Sequence, residues 1–226
     1  AVDPVRTQVA RDLQVGIDLW HKALVRAPHD QDVLCALEEL YDRKRDYEPL
    51  ADIMEKRARF IDDPEERLKH YQKLGSLLTD RIDQPVRALD AWEQAYKLDD
   101  SNLKARKTLE RLYIDGGHWA RLESLFADKE EWNELARLLE QQVGGNIEDA
   151  QKIELLLRAA RVWKEAADDV ARAERALDRI HQQFDPQNEA AALQLITIYR
   201  EAENWAGLDG ALQIVLGNRE TPAERR

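Results

Sequence analysis

Residues 68–100 read LKHYQKLGSLLTDRIDQPVRALDAWEQAYKLDD. Leu74 and Leu78 lie one helical turn apart, and Ala88, Trp92 and Ala95 follow at four- and three-residue steps. That is the period of an amphipathic helix, met twice in one short stretch. The same spacing runs outward in both directions. In LCALEELY it puts Leu34, Leu37 and Tyr41 on one face beside Leu40; in LKARKTLERLY it does so for Leu103, Leu109, Leu112 and Tyr113. Sustained period-two alternation of Val, Ile and Thr is missing, so the chain is read as all-α.

Composition agrees. The chain has 226 residues, of which 43% are hydrophobic and 35% charged, enough apolar content to fold beneath an unusually charged surface. Only 9 Gly and 7 Pro punctuate it, which favours long helices over turns. The net charge of −11 argues against a nucleic-acid partner, since such binders need a basic surface to displace counterions from phosphates. Cys35 is the single cysteine, so one chain can build neither a disulfide framework nor a cysteine zinc site. This fits a reducing, cytoplasmic setting. No apolar run approaches the roughly 18 residues a membrane span needs.

The chain repeats itself. At a shift of 72, Asp18, Trp20 and Ala23 recur as Asp90, Trp92 and Ala95, and Leu37, Glu38, Leu40, Tyr41 and Leu50 as Leu109, Glu110, Leu112, Tyr113 and Leu122. At a shift of 86, Tyr113, Trp119, Ala120 and Leu122 recur as Tyr199, Trp205, Ala206 and Leu208. The smaller unit is a helix pair: Leu37, Leu74 and Leu109 are 37 and 35 residues apart. Fixed periods of this size mark stacked supersecondary units.

A period of this length, with two amphipathic helices per unit, resembles the tetratricopeptide repeat. In 68–100, Leu74-Gly75 and Leu78 match that family's first helix, and Ala88, Trp92 and Ala95 its small-aromatic-small second helix. Pro28 and Pro186 stand where the family has its closing proline, and Asp100 takes that place here. The resemblance covers most of 12–216. Gly75 is replaced by Glu38, Glu110 and Ile196 in other units, and Ala88 by Leu50, Leu122 and Leu208. Looser packing or another helix angle is expected there.

A phrase, Trp/Tyr-x-x-Leu-x-x-apolar-apolar, begins at Tyr47, Trp119, Trp132 and Trp205. Its spacing predicts two large modules, roughly 47–118 and 132–204, with an irregular joint near 119–132. The expected organisation is a first helical sub-array over 1–126, a short polar joint at 127–131 (ADKEE) and a second sub-array over 132–226. The residues 220–225 (ETPAER) echo DDPEER at 62–67, and the start resembles the later half of a preceding module. A fragment of a longer array is therefore expected.

Few residues suggest chemistry. GxGxxG, GxxxxGK[ST] and GxSxG are missing, so no enzyme is expected and no cofactor. His21, His29, His70, His118 and His181 form no HExxH and no paired-ligand spacing; surface or loop positions are expected for them. The DD pairs at 62–63, 99–100 and 168–169 read as helix start signals. The six tryptophans are expected in the core. The resemblance implies that first helices line a concave groove. Lys69, Gln72, Lys104, Lys107, Arg111, Arg161, Lys164 and Arg200 would then form a basic stripe within an acidic chain. Its implied role is a protein–protein interaction scaffold holding an acidic protein or peptide. The alternatives are self-assembly through exposed repeat ends, giving a homo-oligomer, and a docking segment of a larger enzyme.

Overall fold

The computed structural model describes residues 4–219, and it is all-α: no strand occurs among them. Twelve helices follow in order: α1 (Pro4–Arg26), α2 (Gln31–Lys44), α3 (Tyr47–Ala58), α4 (Pro64–Leu77), α5 (Pro85–Leu98), α6 (Leu103–Asp115), α7 (Trp119–Ala127), α8 (Trp132–Gln142), α9 (Asp149–Glu165), α10 (Val170–Gln183), α11 (Glu189–Glu201) and α12 (Trp205–Arg219). A π-helical turn over Leu78–Ile82 extends α4. The segment 220–225 that echoes DDPEER lies outside the described residues.

Local chemistry sets where helices begin. Asp30 accepts hydrogen bonds from the Asp32 and Val33 amides at the start of α2, and Asp63 accepts one from Glu66 ahead of Pro64 in α4. Asp169 does the same for Arg172. Each cap satisfies amides that the first helical turn leaves without partners. Two of the three DD pairs thus start helices as expected. At 99–100 the cap is Asn102, which accepts from the Ala105 amide, while Asp99 folds the preceding turn through Ser101.

The chain divides into two compact units, one running to Leu122 and one starting at Glu123, within α7. In the first, α1 to α6 pack in succession, each on its neighbour; in the second, α8 to α12 do the same. Consecutive helices thus bury their apolar stripes on one another, which is the solenoid-like way of making a core. Leu34, Leu37, Leu50, Met54, Leu74, Leu78, Trp92 and Leu109 are fully buried in the first unit, and Leu135, Leu139 and Trp163 in the second. Each such side chain contributes about 1.5–3 kcal/mol relative to exposure.

The repeat is written into the backbone. Helices α8 to α12 begin 85 or 86 residues after α3 to α7, in the same order. The left-handed turn residues repeat at the same shift: Arg45, Asp83 and Gly117 in one series, Glu130, Asp168 and Glu203 in the other. Left-handed backbone is costly for residues with a Cβ, so recurrence at matching turns reflects a shared architecture. The repeating series is five helices long. It takes in α7 and α12, which the modules 47–118 and 132–204 leave out.

The helices α4 and α5 meet in close contact. A Cβ placed on Gly75 would lie 2.7 Å from the indole of Trp92, so α4 and α5 approach as only glycine permits. Of the leucines that take the place of Ala88 in other units, Leu50 and Leu122 are buried, at 1% and 0% exposure, and Leu208 is half-buried. Glu38, standing where Gly75 stands in the neighbouring unit, is buried too. It accepts from Arg57 at 3.1 Å, and Arg57 also reaches Glu66 at 2.7 Å. His70 departs from the expected surface or loop position. It is a core histidine, not a surface one, 6% exposed, with its Nε2–H donating to the Met54 carbonyl at 2.8 Å.

Candidate functional site

The expected basic stripe divides between the units. In the first, Lys69 is exposed and Gln72 half-buried on α4, and Lys104, Lys107 and Arg111 are exposed on α6. Positions 104, 107 and 111 share one helical face because they are three and four residues apart. Lys104 lies 5.4 Å from the centre of the Trp92 ring and donates to Ser76 Oγ at 3.3 Å, which ties α6 to α4. Lys69, Lys107 and Arg111 have no ion pair among the described residues. These cations therefore keep their charge for solvent or a ligand.

The second unit uses its stripe differently. Arg161 pairs with Glu123 at 2.9 Å, and Arg158 joins the same carboxylate at 3.1 Å. Lys164 pairs with Glu201 at 3.0 Å, linking α9 to α11. Those side chains hold helices together. Only Arg200 is exposed and free of an ion pair among the described residues.

The tryptophans also divide. Trp92 and Trp163 are core residues, as expected, at 1% and 0% exposure. Trp20 and Trp205 are not: they are 39% and 66% exposed, on α1 and α12. No neighbouring helix among the described residues covers those faces. Val15, Leu19 and Val25 on α1, and Leu212 and Leu216 on α12, are exposed with them.

Sequence reading followed first helices and so missed a second basic site. In the second unit, Arg137, Glu140, Leu156, Trp163, Arg172, Arg175, Ala176 and Arg179 line a cavity of about 450 Å³ between α8, α9 and α10. The readable signal was Arg172, Arg175 and Arg179, again three and four residues apart on one face. The opposite side of α10 is acidic. There Asp178 is half-buried and its carboxyl is pushed up, first by loss of water and then by the nearby Glu174, with His181 opposing. Tyr199 on α11 is pushed up to about 12 by burial, by Asp178 and by Glu174, to which its hydroxyl donates.

This raised acid gives a pH signature. A folded-state pKa above the unfolded value, about 3.9 for Asp, means the native state holds the proton more tightly. Asp178 therefore costs stability as pH rises through that window, and the cost is complete at neutral pH. Asp178→Asn is expected to raise the melting temperature at pH 7, with the gain vanishing below about pH 4. Melts followed by circular dichroism across that range check it; a gain that is constant with pH would show that charge is not the cause.

Among the described residues, no group of three or more His, Cys, Asp or Glu is arranged to hold a metal ion, and no helix is long and apolar enough to cross a membrane. No protein-family model matches the chain. No curated protein is similar to it in sequence. Among solved structures, the crystal structure of BtubC (BKLC) from P. vanneervenii matches at 17% identity over 100% of this chain and 96% of that chain, with a TM-score of 0.31. A likeness at that level carries no argument about function.

Proposed function

We propose that the chain is a non-catalytic, tetratricopeptide-like scaffold that binds an acidic protein or peptide on first-helix surfaces of its first unit. The observation that carries this reading is the exposed face of Lys104, Lys107 and Arg111, none of which has an ion pair among the described residues, in a chain of net charge −11. An acidic protein that keeps cations unpaired on one helix face retains a local attraction for carboxylates. Lys69 on α4 is exposed as well. The Gly75–Trp92 contact supports the family likeness, because it is the small-receives-large packing by which such pairs stack.

The test is fluorescence anisotropy with a labelled glutamate-rich peptide. Lys104→Glu/Lys107→Glu/Arg111→Glu is expected to weaken binding by about tenfold or more and to reduce its salt dependence. Unchanged binding would remove this face as the site.

A second reading has its own support. The exposed apolar residues of α1 in the first unit and of α12 in the second suit the addition of another helix from a second copy of the chain. Light scattering over a concentration series, compared with Trp205→Glu, distinguishes this: a mass that grows with concentration and falls back in the variant favours self-assembly.

A further inference from the structure

The arginine-lined cavity of the second unit has an internal control, because the same place exists in the first unit one repeat earlier. At the 85-residue shift, Arg172 corresponds to Arg87, Arg137 to Asp52, Glu140 to Glu55, Arg175 to Asp90 and Arg179 to Gln94. In the first unit this place is electrically closed. Arg87 donates to Asp52 at 2.8 Å and to Glu55 at 2.7 Å, so α5 is bolted to α3 by one arginine between two carboxylates. That pairing also pushes the Arg87 guanidinium up.

In the second unit the closure is undone. Arg137 replaces the aspartate, and two more arginines replace Asp90 and Gln94, leaving four arginines facing one glutamate. Glu140 does not neutralise them. It accepts the Trp163 indole N–H at 2.9 Å and has no ion pair with any of the four. Arg172 is fixed over the Trp163 ring at 4.5 Å and pairs with Asp169 at 3.2 Å. Arg175 spends its Nε–H on the Ala171 carbonyl and Arg179 its own on Gln183. Their terminal NH₂ groups, and all of Arg137, have no partner among the described residues. Three uncompensated guanidinium groups thus line a cavity floored by the buried Trp163, in a protein that is acidic overall.

We propose that this cavity binds a phosphorylated side chain of a partner protein. A phosphomonoester brings a charge of about −2 and three acceptor oxygens, which match several arginine forks; one carboxylate would leave most of the surplus unmet. The aromatic floor offers no stacking surface to a nucleobase, because Trp163 is fully buried and Arg172 covers its face. Arg137 and Arg175 are exposed at the rim, and Arg172 and Arg179 half-buried within, so a ligand enters phosphate first and its remainder stays outside. This site lies in the second unit and does not depend on the first-unit groove.

The test uses the ¹⁵N-labelled full chain, reading the Trp163 indole and arginine Nε–H signals. The probes are a phosphoserine tripeptide, its glutamate and serine counterparts, and inorganic phosphate. Saturable shifts are expected with the phosphopeptide, at an affinity about tenfold above the glutamate peptide, and none with the serine peptide. Arg137→Asp installs the residue that closes the first unit's counterpart, and it is expected to weaken the phosphopeptide by about tenfold or more with the thermal melt preserved. Arg175→Gln, at an exposed position, is expected to weaken it too, and carries the test if Arg137→Asp disturbs the fold. Lys104→Glu/Lys107→Glu/Arg111→Glu is expected to leave this binding unchanged, which separates the two sites. Absence of saturable shifts, binding indifferent to both arginine variants, or inorganic phosphate binding as tightly as the phosphopeptide would overturn the proposal.

Discussion

Gly75→Ala is expected to destabilise the first unit by about 2 kcal/mol, although alanine ordinarily improves a helix interior by nearly 1 kcal/mol. The added Cβ would sit 2.7 Å from Trp92 Cε2 and Nε1 and 2.9 Å from Cδ2. Trp92 is 1% exposed, so the ring is enclosed by protein. Three ring atoms inside contact distance outweigh the propensity gain, because cores yield little to extra volume. The second unit shows how the conflict is resolved when the glycine is absent: the corresponding positions are Ala160 and Leu177, a larger residue on one helix and a smaller one on the other, both buried. Trp92→Leu alone is expected to cost about 3 kcal/mol through the cavity it leaves. Gly75→Ala/Trp92→Leu is expected to cost about 1–2 kcal/mol less than the sum of the two. Urea unfolding of the four proteins measures this. A stabilised Gly75→Ala chain would show that α4 and α5 do not meet as described.

Arg57→Met carries the other large effect, an expected loss of about 3 kcal/mol. The Glu38 side chain is 8% accessible and Arg57 17%, so their ion pair is mostly shielded from water. Removing the arginine strands the carboxylate. His70 Nε2 lies 3.8 Å from Glu38 Oε1, but its proton is committed to the Met54 carbonyl. Breaking one side of a buried pair is costly, whereas replacing both partners by apolar groups of similar size is close to neutral. Glu38→Met/Arg57→Met is therefore expected within about 1 kcal/mol of the parent chain. Equal losses in the single and double variants would show that packing of the Arg57 stem, not charge, sets the cost.

Both predictions rest on features of differing legibility. The glycine–tryptophan contact was readable, because Leu74-Gly75 and Trp92 fall at matching places in a repeated pattern of apolar and small residues. Glu38 was not: on a helix of mixed polarity, a glutamate gives no sign that Arg57, 19 residues on, will enclose it. His70 misled for the same reason, since its acceptor is a backbone carbonyl of the preceding helix. Trp20 and Trp205 matched core positions of the pattern, yet a repeat position is buried only where a neighbouring helix covers it.

The candidate sites divide along the same line. Periodicity placed Lys104, Lys107 and Arg111 together, and the same spacing would have grouped Arg172, Arg175 and Arg179 had second helices been followed, because spacing along a helix is a local property. It could not say which of the cations were spent. Arg161 meets Glu123 from 38 residues away, and Arg87 meets Asp52 from 35. By itself the sequence determined helices, caps and the repeat, since each depends on residues within a few turns. Only the tertiary structure decided which charges are paired and which remain available, because an ion pair between helices depends on how two distant segments are brought face to face.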